Sequence, residues 1–273
     1  TKIDDVFEVQ SQIATRVASA LGARLGSQDV QQLAGRPTTN VAAYDLYLKG
    51  KALTATDAGT MRLAATYFEQ AVAPDSAFVD AWAALATSLG RVYLNGTRDP
   101  VAQARSLVAT ERAIALNPNS AAGYVAAALY YAGVAPDANK ASAAMDRAIQ
   151  LAPNDANVLA GAGQMDRANG QLDAAASKLE RARELDPRSS ARHTSLQLVC
   201  LDQHRFTEAL EAGQVALALE PLNADPVQFQ AMVYLAMGDL NGARAVVRSG
   251  LSRGIPATTS GDGVATSGGG QAA

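Results

Sequence analysis

The side chains that first suggest chemistry are two histidines and a cysteine. His193, Cys200 and His204 lie close together, and they are the only histidines and the only cysteine of the chain. Cys200 and His204 are four residues apart, so on a helix both would face the same side. A zinc ion or a thiol–imidazole pair needs such an arrangement. The spacing therefore raises the hypothesis of a metal or thiol site.

The rest of the sequence argues against an enzyme. It contains no Walker loop, no Rossmann glycine pattern, no HExxH and no GxSxG motif. The glycines of "SGDGVATSGGG" follow no strand pattern and precede no helix pattern, so they do not indicate a phosphate loop. Carboxylates are spread over the polar faces of "DRAIQ", "ERARELD" and "EALEAG". We therefore predict a protein with no catalytic residues, no cofactor and no metal site.

Composition favours closely packed helices. Of the 273 residues 48% are hydrophobic and only 5% aromatic, and much of the apolar share is alanine, the strongest helix former. The net charge of -3 argues against a nucleic-acid partner. No apolar run reaches the length of a membrane span, and the start lacks a signal-like pattern, so we expect no membrane partner and a cytoplasmic location. Because Thr1 is not methionine, we expect a piece of a longer protein or a processed chain.

Similar helix endings recur at a nearly constant period. Pro118, Pro153, Pro187 and Pro221 are separated by 35, 34 and 34 residues. The positions twelve, eight and five residues before each proline form one helix face, because they are related as i, i+4 and i+7. The residues twelve and five before each proline are small, which lets a second helix approach: Ser106 and Ala113, Ala141 and Ala148, Ala175 and Ala182, Ala209 and Ala216. The positions eight before are Thr110, Met145, Leu179 and Gly213.

A second apolar stripe precedes each of these helices. In "ARHTSLQLVCLDQH" it consists of His193, Leu196, Gln197 and Cys200, while His204 falls in the following turn. His193 and Cys200 therefore occupy packing positions. This placement favours a structural role for both side chains over the metal or thiol site.

These units resemble the tetratricopeptide repeat (TPR) family, and the closest is "LAGAGQMDRANGQLDAAASKLERARELDP". The resemblance implies an all-α solenoid, a right-handed superhelix of about six helix-turn-helix units over residues 37–255. The units span roughly residues 40–75, 77–118, 119–153, 154–187, 188–221 and 222–254. The first helix of each unit is then expected on the concave surface.

Two units depart from the pattern. In the first unit Pro74 comes two residues before the expected proline position at Ser76, so we expect its second helix to end early. The second unit carries about eight extra residues by subtraction, in "VYLNGTRDPVAQ". The turn-forming "NGTRDP" predicts a longer surface loop, over about residues 92–101. Such a loop is either a tolerated insertion or a contact for a partner.

The segments outside the repeats differ from one another. Residues 1–36 contain an amphipathic helix pattern with the stripe Val6, Val9, Ile13, Val17, Ala20 and Leu21. This helix is expected to cap the array, to connect it to an upstream domain, or to do both. The first fifty residues, including "RPTTNVAAYDLYLKGK", resemble a connector before TPR arrays in bacterial signalling proteins. Those proteins are adenylate cyclases, serine/threonine kinases and winged-helix regulators. Residues 256–273 are rich in glycine, serine and threonine, which predicts a flexible tail.

Binding is the function that the pattern favours. A groove between the packing positions would take an extended peptide or a partner helix. The lysines of the clamp with which TPR co-chaperones grip a terminal carboxylate are absent from these positions. The predicted groove residues are Asp80, Thr87, Arg91, Val125, Leu129, Asn157, Gln164, Arg167, Thr194, Leu198, Gln228 and Met232. We predict a regulatory interaction scaffold of a larger bacterial signalling protein.

The alternative function is oligomerisation through the C-terminal end of the array. No polar capping helix pattern precedes the tail, so an apolar end of the stack would face solvent. The residues expected there are Val246, Val247 and Leu251. They would form a contact with another copy of the chain.

Overall fold

The computed structural model describes residues 37–53, 58–96 and 98–255. Over these residues the chain forms twelve α-helices, one short π-helix and no strand. The helices are α1 (Val41–Lys51), α2 (Ala58–Val72), α3 (Val79–Asn95), α4 (Pro100–Leu116), α5 (Ala121–Leu129), α6 (Ala138–Leu151), α7 (Ala156–Ala168), α8 (Leu172–Leu185), α9 (Ser190–Asp202), α10 (Phe206–Leu219), α11 (Ala224–Ala236) and α12 (Leu240–Ser252). None of the helices in these ranges is long and apolar enough to cross a membrane.

The helices pack as six consecutive antiparallel pairs, from α1–α2 to α11–α12. From α2 onward each pair also packs against the first helix of the next pair, so the core runs along the stack. The expected all-α solenoid is confirmed. The predicted N-terminal helix in residues 1–36 and the predicted tail at residues 256–273 lie outside the described residues.

The small residues of the repeat lie at the tightest contacts between helices. Ala113, Ala148, Ala182 and Ala216 have no exposed surface, which confirms the packing role predicted for that position. Each of the helices α4, α6, α8 and α10 ends at an extended residue directly before the recurring proline. Asn117, for example, has φ -142° and ψ 98°, because Pro118 disfavours helical geometry in the residue before it.

The turns inside the later pairs share one backbone geometry. Gly170 and Gly238 adopt φ values of 76° and 78°, the left-handed region that glycine enters without steric cost. In the pair α9–α10 the same position is His204, with φ 59°. The turn is closed there by the amide of Arg205, which donates to the carbonyl of Cys200 over 2.8 Å. One histidine thus occupies a position that glycine fills in the neighbouring pairs.

The extra residues of the second unit extend its helices instead of forming a long loop. Helices α3 and α4 have 17 residues each, whereas α7 has 13 and α8 has 14. Only residues 96–99 connect α3 to α4. Asp99 caps α4 by accepting from the amide of Val101, and Pro100 occupies the first turn, where it needs no hydrogen-bond partner. The prediction of a long loop over residues 92–101 was therefore wrong.

A π-helix accounts for the one period of 35 residues. Residues Tyr130–Val134 form it at the end of α5, and the amide of Ala135 donates to the carbonyl of Tyr130 over 3.0 Å. A π turn absorbs one extra residue while the flanking helix keeps its register. This segment packs against the extended end of α3, where a Cβ on Gly133 would lie 2.9 Å from Leu94 Cδ1. The two departures from the repeat therefore contact each other.

Large and small residues exchange places in the pair α9–α10. In the preceding pair, Gly163 on α7 lies against Leu179 on α8, and a Cβ on Gly163 would come within 2.7 Å of Leu179 Cγ. In α9–α10 the first helix carries Gln197 and the second carries Gly213 at the corresponding positions. A Cβ on Gly213 would lie 2.5 Å from Gln197 Nε2. The buried glutamine fills the space that glycine leaves.

Candidate binding groove

The first helices of the pairs line the inner side of the curved stack. Each first helix from α3 to α11 contacts the next first helix, whereas consecutive second helices make no comparable contact. Elements that remain in mutual contact lie on the shorter, concave side of a curved array. The surface of α3, α5, α7, α9 and α11 between their packing positions is therefore the candidate binding groove.

Most of the predicted groove residues are exposed or partly exposed. These are Asp80, Thr87, Arg91, Val125, Leu129, Asn157, Gln164, Arg167, Leu198, Gln228 and Met232. Thr194 differs, because it is 9% exposed and its hydroxyl donates to the carbonyl of Ser190 over 2.9 Å. We therefore remove Thr194 from the set of residues that a ligand could contact.

Three side-chain hydrogen bonds join α7 to α9 along the groove. Arg192 donates to Asn157 Oδ1 over 2.6 Å, and Gln164 donates to Ser195 Oγ over 3.4 Å. Arg167 Nε donates to Asp202 Oδ2 over 2.5 Å. Much of the polar capacity of this half of the groove is therefore used within the protein. Arg192, Ser195 and Asp202 were not among the predicted groove residues. Two of the three pairs do show a signal in the sequence, because their complementary residues are 35 positions apart.

The half of the groove between α3 and α5 is organised differently. Val125 and Leu129 on α5 are partly exposed apolar side chains. Thr87 on α3 donates its hydroxyl to the carbonyl of Ala83 on its own helix, over 3.0 Å. Among the described residues, no side-chain hydrogen bond or ion pair crosses from α3 to α5. This half thus presents small and partly exposed apolar side chains, and the buried side of Val125 packs against the cluster that includes Ala128 and Met145.

Charged groups stand at both ends of α3. Arg91 is exposed and makes no ion pair within the described residues, yet desolvation by the surrounding protein lowers its pKa, and Asp225 opposes this shift. Asp225 lies on α11, so the carboxylate that raises the pKa of Arg91 belongs to the last pair of helices. At the other end, burial raises the pKa of Asp80, and Lys51 partly offsets this effect. The Asp80 carboxyl is therefore partly buried, whereas the Arg91 side chain is exposed.

The last pair of helices leaves an apolar surface uncovered. Leu235, Leu240, Val247 and Leu251 are 53%, 58%, 43% and 51% exposed, and we call these four residues the C-terminal face. Val247 and Leu251 were expected at this end. Val246 is placed differently, because it packs against the buried cluster of Leu217, Val227 and Ile255. Val246 is therefore unsuited to contact another copy.

Comparison with known proteins relates this geometry to a known fold. No protein-family model matches the sequence, and no curated protein matches it. Among solved structures, a thermophilic TPR protein from Thermus thermophilus is 22% identical, covers 71% of this chain and 100% of its own, and has a TM-score of 0.55. The fold is that of TPR proteins. Human IFIT1, solved as a dimer with m7Gppp-AAAA, is 17% identical with a TM-score of 0.61. The Cut9–Hcn1 hetero-tetramer of APC/C is 17% identical with a TM-score of 0.59. Each of these two matches covers 91% of this chain but only 55% and 51% of the longer chain matched.

The TPR packing explains the two histidines and the cysteine. His193 and Cys200 are buried in α9, and a ring nitrogen of His193 lies 3.0 Å from the carbonyl oxygen of Pro187. Burial raises the pKa of the Cys200 thiol, so the reactive thiolate is disfavoured. His204 lies in the turn, with its ring edge-on to Phe206. Within the described ranges, no three histidine, cysteine or acidic side chains are grouped to hold a metal ion.

Proposed function

We propose that this chain is a non-enzymatic scaffold that binds a protein segment in its groove, against α3 and α5. TPR-fold neighbours support a role as an interaction scaffold. The proposed position of the ligand rests on a contrast between the two halves of the groove. Side-chain hydrogen bonds tie α7 to α9, whereas Val125 and Leu129 on α5 have no such neighbours. A ligand at α3 and α5 displaces no internal bond.

The lining favours an extended peptide or a helix with modest apolar side chains and one acidic group. Val125 and Leu129 offer partly exposed apolar surface, whose burial on binding is favourable at about 25 cal/mol per Å². Arg91 supplies an exposed guanidinium that makes no ion pair with any described residue, so an acidic group of the ligand would be attracted to it. Arg167 contributes less to this proposal, because Asp202 already binds it.

A peptide-display selection tests this proposal. The full chain is used to select from a random twelve-residue library, and the selected peptides are measured against Val125→Asp and Arg91→Glu variants. We expect each variant to weaken binding about tenfold, since a buried apolar contact or a charge-assisted bond contributes about 1–3 kcal/mol. Val108→Asp, at an exposed apolar position on α4, serves as the control. Selected peptides that bind both groove variants as tightly as the original chain would refute the location.

The cellular context is a further part of the proposal. The resemblance of the first fifty residues to connectors supports a regulatory arm of a bacterial signalling protein in the cytoplasm, although residues 1–36 lie outside the described residues. The coding sequence upstream of Thr1 tests this: it should encode a cyclase, kinase or winged-helix pattern. An unrelated upstream domain, or none, would contradict the signalling context.

The proposal includes the absence of a nucleic-acid partner. A net charge of -3 supplies no general attraction to phosphates. The likeness to human IFIT1, solved with m7Gppp-AAAA, makes RNA the nucleic acid to test. Fluorescence anisotropy with labelled capped and uncapped RNA of that sequence should show no binding at physiological salt. Saturable binding that weakens on Arg91→Glu would instead place RNA in the groove.

Oligomerisation through the C-terminal end is the second candidate function. Seven of the sixteen large apolar side chains that are exposed in the described residues lie between Leu222 and Leu251. This concentration at one end favours an interface. The double variant Val247→Asp and Leu251→Asp should lower the mass measured by light scattering while the helical circular dichroism stays unchanged. A mass of one chain for the unmodified protein at high concentration would refute this function.

A further inference from the structure

Three residues of the C-terminal face correspond to residues that are covered in the preceding pair. Moving back 34 residues places Leu235, Leu240 and Leu251 on Leu201, Phe206 and Leu217, and places Val247 on Gly213, which faces Gln197 of its own pair. Leu217 is 8% exposed and Leu251 is 51% exposed. Leu201 and Phe206 pack against a cluster that includes Val233 of α11. The face is therefore exposed because no first helix follows α12 in the described residues.

The shape of the vacant position specifies a helix. In every preceding pair from α3–α4 onward, both helices contact the first helix of the next pair, which covers the surface between them. The missing element would be an amphipathic helix whose apolar stripe lies on Leu235, Leu240 and Leu251. A strand or loop would leave backbone polar groups unpaired against this apolar surface.

The charges beside the face specify the polar flank of that helix. Arg244, Arg248 and Arg253 on and after α12 are exposed and form no ion pair with any described residue. Arg253 directs Nε to the carbonyl of Ser249 on its own helix. No carboxylate of the described array neutralises these three charges, so an acidic flank on the covering helix would be attracted to them.

The chain itself contains a segment with this pattern. Residues 4–21 carry the apolar stripe that begins with Val6, Val9 and Ile13, and their first turns hold Asp4, Asp5 and Glu8. We propose that residues 4–21 of one copy dock on the C-terminal face of a second copy, in the position of a seventh first helix. This inference rests on the oligomerisation function proposed above and names the segment that forms the contact.

The packing of the earlier pairs predicts the orientation of the docked segment. Each first helix runs antiparallel to the second helix before it, so its first turn lies near the end of that helix. Docked in this way, Asp5 and Glu8 lie next to Arg248 and Arg253. The segment joins the array at α1, at the opposite end of the stack from α12, so a contact between copies is head-to-tail. Such a contact produces rings or chains of copies and not a two-fold dimer.

A charge-swap experiment on the full chain tests the proposal. Sedimentation equilibrium over a concentration series is measured for Arg248→Glu/Arg253→Glu, for Asp5→Arg/Glu8→Arg and for an equimolar mixture of the two variants. We expect each variant alone to raise the apparent dissociation constant about tenfold, because two ion pairs become repulsive. The mixture should recover assembly when copies of the two variants alternate, because the acidic face of one variant then meets the basic segment of the other, and the two unmodified ends meet each other. Arg62→Glu/Arg112→Glu, two exposed arginines on α2 and α4, is the control and should assemble normally.

The outcomes separate this inference from the function on which it rests. If the unmodified chain has the mass of one copy at every concentration, oligomerisation itself fails. If Val247→Asp/Leu251→Asp abolishes assembly while the charge variants behave as the control, the interface stands but residues 4–21 do not form it. If the charge variants lower the melting temperature of a protein that stays monomeric, the segment docks within its own chain, and the head-to-tail contact is refuted.

Discussion

The exchange of glutamine and glycine between α9 and α10 gives a quantitative prediction about packing. Gln197 is fully buried, and its amide nitrogen donates to the carbonyl of Pro226 over 3.2 Å. Its Oε1 is buried without a hydrogen-bond partner. Gly213 provides the space for this side chain, because a Cβ there would lie within 3.0 Å of three of its atoms. The pair α7–α8 solves the same packing problem with Gly163 and Leu179.

Each single change towards the α7–α8 arrangement should destabilise the protein. Gln197→Gly leaves a cavity and adds a helical glycine, which together cost about 3–5 kcal/mol, offset by about 1–3 kcal/mol because the unpaired oxygen is removed. Gly213→Leu alone places a leucine Cβ 2.5 Å from the Gln197 amide nitrogen. Overpacking of this kind costs about 1–3 kcal/mol even after neighbours shift.

The double variant should be close to the original protein in stability or above it. A leucine at position 213 fills the volume that a glycine at position 197 vacates, as Leu179 does at 1% exposure. The cost of a buried unpaired amide oxygen also disappears. We therefore expect a coupling free energy of about 3 kcal/mol between the two positions.

Urea denaturation followed by circular dichroism measures all four proteins of this cycle. Because repeat arrays unfold in parts, hydrogen exchange of the α9 and α10 amides is measured alongside. A matched cycle at Gln228 and Gly161, which lie on different pairs, should show additive effects. Additivity at Gln197 and Gly213 within about 0.5 kcal/mol, the ordinary limit for independent sites, would refute the reasoning that the two residues share one space.

Two further predictions follow from the backbone and from the titration of a buried carboxyl. Gly170→Ala should lower the free energy of unfolding by about 1 kcal/mol, because φ is 76° and no atom lies within 4 Å of the new Cβ to compensate. His204→Gly should raise the free energy of unfolding by about 0.5 kcal/mol. Urea titrations in which Gly170→Ala stabilises the protein and His204→Gly destabilises it would contradict this account of the turns. Burial raises the pKa of Asp80 above its ordinary 3.8, so its stabilising neutral form is present at low pH and is lost as the pH rises through the folded-state pKa. Asp80→Asn should therefore raise the melting temperature at pH 7 and leave it nearly unchanged at pH 3, and an equal shift at both values would argue against a perturbed carboxyl.

The repeat period of the sequence was enough to predict the fold, because every unit makes the same contacts between its helices. Ala113 and its counterparts had to be small wherever two helices approach, so their spacing predicted the pairs. The departures were harder to predict. "NGTRDP" has the composition of a loop, yet Asp99 and Pro100 start a helix there. Aspartate favours turns, but it also favours the N-cap position of a helix. The same residues can therefore begin a helix instead of forming a loop.

The groove was predictable only in part, because helical register gives direction but not availability. Register predicted Arg167 and Asn157 as groove residues, and the structure leaves Asn157 exposed and Arg167 partly exposed. Register alone does not show that Asp202 and Arg192 already bind these side chains. Register also does not show that Thr194 is already bonded, because a short hydroxyl side chain can donate to a carbonyl in the preceding turn of its own helix. Pairing between repeats decides which groove residues remain open to a ligand.

The two departures from the repeat support the same location for the ligand. An extra turn on α3 and another on α4 preserve the helical phase, because about four residues complete one turn. The apolar stripes therefore remain aligned, and the added turn of α3 begins just after Arg91. The π turn at Tyr130–Val134 keeps α5 in contact with this longer helix by absorbing one residue. If the ligand binds against α3 and α5 as proposed, we expect the extended end of α3 beside Arg91 to add contact area.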